Sequence, residues 1–413
     1  MKKAIALVLA IVLVVACFAA CGGNKGNDST TTPSDGTSNT ATLDVSKIKF
    51  GLICLHDENS TYDNNFILAI KDAQKALGLK DDQVLIKKNI PEDDSCYNAA
   101  AELVEQGCNI IFADSFGHES FMIQAAKEFK DVQFCHATGT QAKQVKLANF
   151  HNAFASIYEG RYLAGVAAGM KLNEMIESGK ITKDNAKIGY VGAFNYAEVV
   201  SGLTSFFLGA RSVCENATMK VTYTNSWFDI ALEREAALNL INDGCVLISQ
   251  HADSEGAPKA CEEKGVPNVA YNISTISMGP NTAIISSKIN WAPYYKLVIE
   301  AVAKGEAIPT DWCGTIATGS VELTELNEKV AASGTQAKLD EVKAQLEKGE
   351  IKVFDTKNFT VDGKALTEYK ADVDGDFKGE TNVIENGVFV ESGDEFRSAP
   401  YFDIKYIDGI SEK

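Results

Sequence analysis

Two stretches of this chain repeat one another at a nearly fixed distance. Asn89–Phe129 reads NIPEDDSCYNAAAELVEQGCNIIFADSFGHESFMIQAAKEF, and Asn225–Gly265 reads NSWFDIALEREAALNLINDGCVLISQHADSEGAPKACEEKG. Each has a helix with paired alanines on its apolar face (Ala99, Ala100; Ala236, Ala237) that ends at Gly107-Cys108 or Gly244-Cys245. A short apolar strand follows, then Asp114-Ser115 or Asp253-Ser254, then a second helix. Upstream, KIKFGLICL around Gly51 recurs as NAKIGYVGAF around Gly189, and VLIKKN from Val84 recurs as VTYTN from Val221. The offset stays between 137 and 139 residues. A constant offset over successive elements is an internal duplication, and one this long is no solenoid repeat. Strands alternating with helices in each copy predict two α/β lobes, each built on a parallel sheet.

At 413 residues the chain has material for two or three domains, with an ordinary globular 45% hydrophobic and 23% charged residues. Its net charge of -17 argues against nucleic acid, which is held through a basic face. Residues 1–20 have the three regions of a secretory leader: Lys2 and Lys3, the apolar run AIALVLAIVLVVACF, and small residues up to Cys21. The run is too short and wrongly flanked for a spanning helix. Residues 21–46 begin with a Gly/Ser/Thr/Asn tract that cannot bury apolar surface, as expected of a flexible tether. The cysteines beyond Cys21 include Cys54, Cys135 and Cys245 in or beside predicted strands, where buried thiols are expected, and no C-x-x-C occurs.

In chain order, KIKFGLICL is an apolar strand, and the polar loop His56–Asp63 follows at its carboxyl end, where open α/β sheets place their ligands. NNFILAIKDAQKALGL then reads as an amphipathic helix ending at Gly78. IYEGRYLAGVAAGMKLNEMI is a helix with small residues Ala164, Gly165, Ala167 and Ala168, suited to close packing, and INWAPYYKLVIEAVAKG reads as a helix that crosses back. Beyond Thr315 the pattern changes: Glu322–Gly349 reads as a charged helix, and short hairpins follow with turns at Gly375, Asn386-Gly387 and Gly393, a region without a counterpart in the duplication.

Catalytic signatures are missing. There is no G-x-S-x-G, no phosphate loop ending in Gly-Lys-Ser/Thr, no G-x-G-x-x-G after a strand and no zincin pair at His118-Glu119. Asp372, Asp374 and Asp376 do not keep a calcium loop's glycine and glutamate spacing, so no metal or cofactor is expected. What recurs is a polar pair with nearby aromatics at a predicted strand end: Asp63 with Phe66, Asp114-Ser115 with Phe116, Trp227-Phe228 with Asp229, and Asp253-Ser254. Two lobes presenting such groups to one another can sandwich a flat polar ligand, with rings stacking and carboxylates accepting from N–H or O–H donors. The bland readings are core positions for Phe66 and Phe116 and a helix cap for Asp229.

These residues carry a resemblance. GLICLHDENSTYDNNF, EGRYLAGVAAGM, IGYVGAF, and SWFD followed by HADS make Lys47–Lys352 similar to the basic membrane protein family of ABC-transporter solute-binding lipoproteins, whose studied members bind purine nucleosides. The resemblance implies a type I periplasmic-binding-protein fold of two Rossmann-like lobes joined by three crossovers, a first lobe of 47–175 with 289–320 and a second of 186–288; the tail without a counterpart in the duplication is expected to be a β-containing extension over 321–413. It implies an aromatic pair, Phe66 and Trp227, around a purine, with Asp63 in the first loop and Lys288 near the ribose. Thr138 and Asn272 stand where the family commonly has aspartates, so a free base or another heteroaromatic solute is an alternative to a nucleoside. His56, Ser115, Phe116, Phe228, Asp253 and Ser254 complete the expected site, with Tyr271 beside it.

Phe18-Ala19-Ala20-Cys21 resembles a lipobox, which implies acylation of Cys21 and a lipid anchor outside the cytoplasmic membrane. The expected function is capture of a small solute by a monomer and its delivery to an ABC permease, without catalysis. The rivals are a sensor feeding a signalling receptor, a binder of a non-purine solute such as a sugar, and an extracellular nucleoside hydrolase.

Overall fold

The computed structural model describes residues 44–392 and 396–412. The leader, Cys21, most of the tether and the turn expected at Gly393 lie outside these residues. The first sheet is built from β1 (Phe50–Ile53), β2 (Val84–Lys87), β3 (Ile110–Ala113), β4 (Gln133–Ala137) and β5 (Phe150–Ala155). Between them run α1 (Thr61–Leu77), α2 (Asp94–Glu105), α3 (Glu119–Glu128) and the short α4 (Ala142–Val145), and α5 (Ile157–Glu177) follows. The second sheet uses β6 (Lys187–Gly192), β7 (Thr218–Tyr223), β8 (Leu247–His251), β9 (Asn268–Tyr271) and β10 (Ala283–Ile289), with α6 (Ala197–Val213), α7 (Ile230–Asn242) and α8 (Gly256–Lys264). The duplication appears directly in the topology: the strands run 5-4-3-1-2 in one sheet and 10-9-8-6-7 in the other, all parallel. Gly51 lies between Leu85 and Ile111, and Gly189 between Lys220 and Ile248.

Local chemistry sets the helix ends. Ser60 caps α1 by accepting from the Asp63 amide, and Gly78 closes it in the left-handed conformation. Asp229 caps α7, accepting from the amides of Ala231 and Leu232, which is the structural role that its position in the sequence suggested. Helix α5 is buried along most of its length and crosses α6 at backbone contact. A methyl group on Gly165 would stand 2.0 Å from the Phe206 carbonyl oxygen, and one on Gly209 would stand 2.0 Å from that of Tyr162. The small residues of EGRYLAGVAAGM are therefore a steric requirement of this crossing.

The chain passes between the lobes three times: from β5 into α5, from β10 into α9 (Ala292–Lys304), and from β11 (Asp311–Gly314) into β12 (Val321–Leu323). Helix α9 packs on α1, and β11 extends the first sheet beside β5. Trp291, at the start of this return, is buried against Phe66 at a ring separation of 4.5 Å. Asn65 adds a tie at the same place, donating to the Ile289 carbonyl at 2.6 Å.

Beyond 321 the structure corrects the expectation of a separate extension. β12 is the antiparallel edge of the second sheet beside β10, and β17 (Ile410–Glu412) is its parallel edge beside β7. Helix α10 (Thr335–Glu347) packs on α5. Two small hairpin-like pairs lie between: β13 (Lys370–Ala371) with β14 (Thr381–Asn382), and β15 (Ile384–Glu385) with β16 (Val388–Phe389), the latter turning at Asn386-Gly387 with positive φ at both. Edge strands of three residues leave almost no local pattern, since the sheet edge they cover is what stabilises them. Cys54 and Cys135 are free and buried, and Cys245 is likewise buried. Among the described residues no helix is long and apolar enough to cross a membrane.

Candidate functional site

The carboxyl ends of the two sheets face each other across a narrow cavity, about 370 Å³ of empty space counted out to its mouth and only about 20 Å³ of room for solvent. The first lobe contributes Leu55 and His56 after β1, Tyr62 and Asp63 from the first turn of α1, Ser115 and Phe116 after β3, and Thr138 after β4. Across from them stand Glu198 in the first turn of α6, Trp227 after β7, and His251 and Asp253 at the end of β8. The lobes touch around this space. The Thr61 amide donates to the Asp253 carbonyl at 2.7 Å, and the rings of His56 and Phe228 lie 5.2 Å apart.

Asp63 is held ionised. Burial opposes its charge, but its carboxylate accepts from the His56 amide at 2.7 Å and from Ser60 Oγ at 2.6 Å, with His56 Nδ1 3.4 Å away, and these bonds keep it below the usual carboxylate range. Asp114 behaves oppositely: burial and then the Asp63 charge push it well up, while its Oδ1 accepts from the Leu55 amide. Tyr62 donates its hydroxyl to the Asp114 carbonyl at 2.7 Å, which fixes the ring against the cavity. In the second lobe, burial and the neighbouring Glu233, Asp63 and Glu198 push Asp253 well up. Burial raises Glu198 to about 7, with Arg161 opposing, and the His251 imidazole, 3.6 Å from Glu198, is held well below its ordinary value by burial and then Arg161. The Arg161 guanidinium is itself buried, 3.4 Å from the Tyr271 ring centroid, and donates to the Gln250 carbonyl at 2.9 Å. The cavity thus offers rings from both lobes and carboxyl groups in two protonation regimes.

Of the residues expected from the sequence, His56, Asp63, Ser115, Phe116, Thr138, Trp227 and Asp253 line the cavity. Others stand just behind it. Phe228 covers His56, Asn272 donates to Asp253 Oδ1 at 3.2 Å, and Ser254 opens α8, its amide donating to Glu233 and its Oγ accepting from Gly256. Thr138 and Asn272 occupy equivalent places, directly after β4 and β9, and both have positive φ, 65° and 71°. That conformation is rare for a β-branched residue, so the duplicated backbone turn persists despite the departure from aspartate.

Two expectations are corrected. Phe66 is fully buried between Trp291 and Tyr62, because one helical turn carries it from the cleft into the core; Tyr62, four residues earlier, presents the ring. Lys288 sits on β10 and pairs with Glu322 of β12 at 3.4 Å, outside the cavity lining.

Tyr62, Glu198 and His251 also line the cavity without having been expected from the sequence. The first two had a findable signal, since each is the second residue of the helix that follows the first strand of its lobe. Among the described residues, two carboxylate-bearing groups could gather cation ligands. Cys54 with Asp63 and Asp114 is one, but burial and the adjacent acids push the Cys54 thiol well up, against ligation. The other is Asp372 with Asp374 and Asp376, where Arg397 already pairs with Asp372 at 3.1 Å.

Two similar α/β lobes, joined by three segments and closed over a cavity at their strand ends, define a two-lobed solute-binding protein. Residues 53–357 match the model of the Bmp family, described as ABC transporter substrate-binding protein PnrA-like, and the chain belongs to that family. The family is one of solute-binding proteins, not of catalysts. A Haloferax volcanii protein described as an ABC transporter glucose-binding protein is 35% identical over 242 residues, 57% of this chain and 58% of the relative. A purine-binding protein of Brucella abortus is 31% identical over 316 residues, 75% of this chain and 83% of the relative. An ABC transporter solute-binding protein from Conexibacter woesei superposes with a TM-score of 0.61 at 20% identity, over 74% of this chain and 97% of that one, a likeness of fold.

Proposed function

We propose that this protein captures a small heteroaromatic solute, a purine nucleoside or nucleobase, between its lobes and delivers it unaltered to an ABC permease. The observation that carries the reading is that both lobes bring aromatic rings to one small cavity, Tyr62 and Phe116 from one side and Trp227 from the other, beside ionised Asp63. Rings on both sides suit a planar base, and Asp63 can accept from its N–H groups or from ribose hydroxyls. The purine-binding relative from Brucella abortus, aligned over most of both chains, supports the same choice. Closure supplies the mechanism: a ligand touching both lobes favours the state in which Thr61 meets Asp253, and a permease recognises that state.

The protein acts as a monomer outside the cytoplasmic membrane, tethered through an acylated Cys21. The ligand is tested by calorimetric titration of the soluble form, starting after Cys21, with adenosine, guanosine, adenine and glucose. One-to-one binding of a purine is expected, and glucose binding without purine binding would overturn the assignment. Nucleoside should survive prolonged incubation unchanged, whereas release of free base would establish an enzyme. For the anchor, Cys21→Ala should leave the detergent phase; if it still partitions there, the lipid tether is wrong.

A further inference from the structure

Past the inner cavity the cleft opens into a larger chamber of about 1,460 Å³, counted to its open mouth. Phe116, Thr138, Glu198 and Trp227 line both, so the two spaces adjoin across these side chains. The outer wall comes from a part of the chain beyond the family match, which ends at residue 357: Phe377, Arg397, Tyr401 and Asp403 stand there. This wall is fastened to the first lobe. Gly375, at φ 82°, lies so close to Thr140 that a methyl group would stand 1.8 Å from the carbonyl oxygen. Lys143 donates to the Phe396 carbonyl at 2.7 Å, and the Ser398 amide donates to the Asp311 carboxylate at 3.1 Å.

The exposed aromatic rings among the described residues gather in this chamber: Phe116 (46% exposed), Tyr196 (49%) and Phe377 (77%). They come from the first lobe, the second lobe and the outer segment. Phe377 also holds its backbone at φ 65°, a left-handed conformation that aromatic residues rarely adopt. A strained residue that displays its ring to water next to a ligand cavity points to a contact completed by the ligand.

We propose that the outer chamber is a second subsite, taking an aromatic ring attached to the solute held in the inner cavity, so that the preferred ligand is a two-ring conjugate larger than a simple nucleoside. The inference rests on the solute-capture reading of the inner cavity, and it assigns Tyr196 and Phe377 as specificity residues.

The test compares each parent ligand with an aryl derivative by calorimetry: adenosine with its N6-benzyl and 5′-O-benzyl derivatives, and glucose with phenyl glucoside. An added ring should raise affinity about ten- to a hundredfold in at least one pair. Phe377→Ala should remove about tenfold of that gain while leaving the parent's affinity unchanged, and Phe377→Tyr should restore it. No gain in any pair, or a gain unaffected by Phe377→Ala, would overturn the subsite. If glucose binds, adenosine does not, and the phenyl glucoside gains affinity through Phe377, the chamber stands and the purine assignment falls.

Discussion

Glu391→Gln should make the protein's stability less dependent on pH. Glu391 is 3% exposed and faces Ser201 of α6 and the amides of Tyr401 and Phe402, at the place where the outer segment meets the second lobe. Burial pushes its carboxyl from the ordinary 4.5 up to about 8, against the smaller opposing influences of these neighbouring groups and of Arg397. Between these two values the unfolded chain has released the proton and the folded chain retains it. The stabilisation is therefore complete below pH 4.5, is lost steadily as pH rises towards 8, and changes no further above that. At 1.36 kcal/mol per pH unit the full loss is ~5 kcal/mol, and water entry around a charged Glu391 would reduce it to a few. Glutamine keeps the shape without the titration. Urea unfolding from pH 4.5 to 9 should show the variant and its parent diverging in the variant's favour by a few kcal/mol up to pH 8. Taking the difference cancels other buried carboxyls such as Glu198 and Glu233, both raised to about 7 by burial. Parallel stability curves would show that Glu391 titrates like a solvated glutamate and that the outer segment does not seal it.

Further outcomes follow from the same geometry. Trp227→Ala should weaken binding roughly ten- to a hundredfold by titration calorimetry, because one stacking face is lost. The fold should survive, since Trp227 is only partly buried, edge-on to Phe194 at 5.1 Å; unchanged affinity would make the ring structural. Gly165→Ala places a methyl group 2.0 Å from the Phe206 carbonyl oxygen and should cost about 1–3 kcal/mol in chemical denaturation. Parental stability in that variant would mean that α5 and α6 do not cross at backbone contact. Asn65→Ala leaves the Ile289 carbonyl without its buried donor and should cost about 1–3 kcal/mol, read by thermal unfolding, with a neutral result removing this tie from the crossing.

The duplication was readable because parallel strands buried on both faces need continuous apolar runs, and helices packed on such sheets need periodic ones. Those patterns survive in both copies, and the sheets keep the same strand order. The small residues of α5 were equally plain, since only glycine fits where a methyl group would stand 2.0 Å from a neighbouring carbonyl oxygen. Residues at strand ends were legible for the reason that open sheets place ligands there, and seven of the expected ones line the cavity. What failed was depth. Phe66 and Tyr62 lie one turn apart on α1, and the sequence alone does not say where the core begins; Trp291, 225 residues later, decides it. Lys288 failed because its partner strand β12 is too short to be seen. Arg161 and Glu198 meet His251 only through tertiary packing, as ionisable groups brought together from α5, α6 and β8.

The stacking of Trp291 on Phe66 bears on how such a chain reaches its native state. The first lobe draws its packing partner α9 and its edge strand β11 from residues synthesised after the second lobe's five-stranded core, so the first copy of the duplication is completed only once the second has been made. Early association of β1 to β5 leaves Phe66, Phe112 and Phe154 without the indole that joins them. Contacts of such long sequence separation slow folding, because a large loop must be ordered before they form. The two halves that were once alike have become kinetically dependent: cutting the chain between them would yield not two small domains but one unfinished core and one stranded aromatic plug.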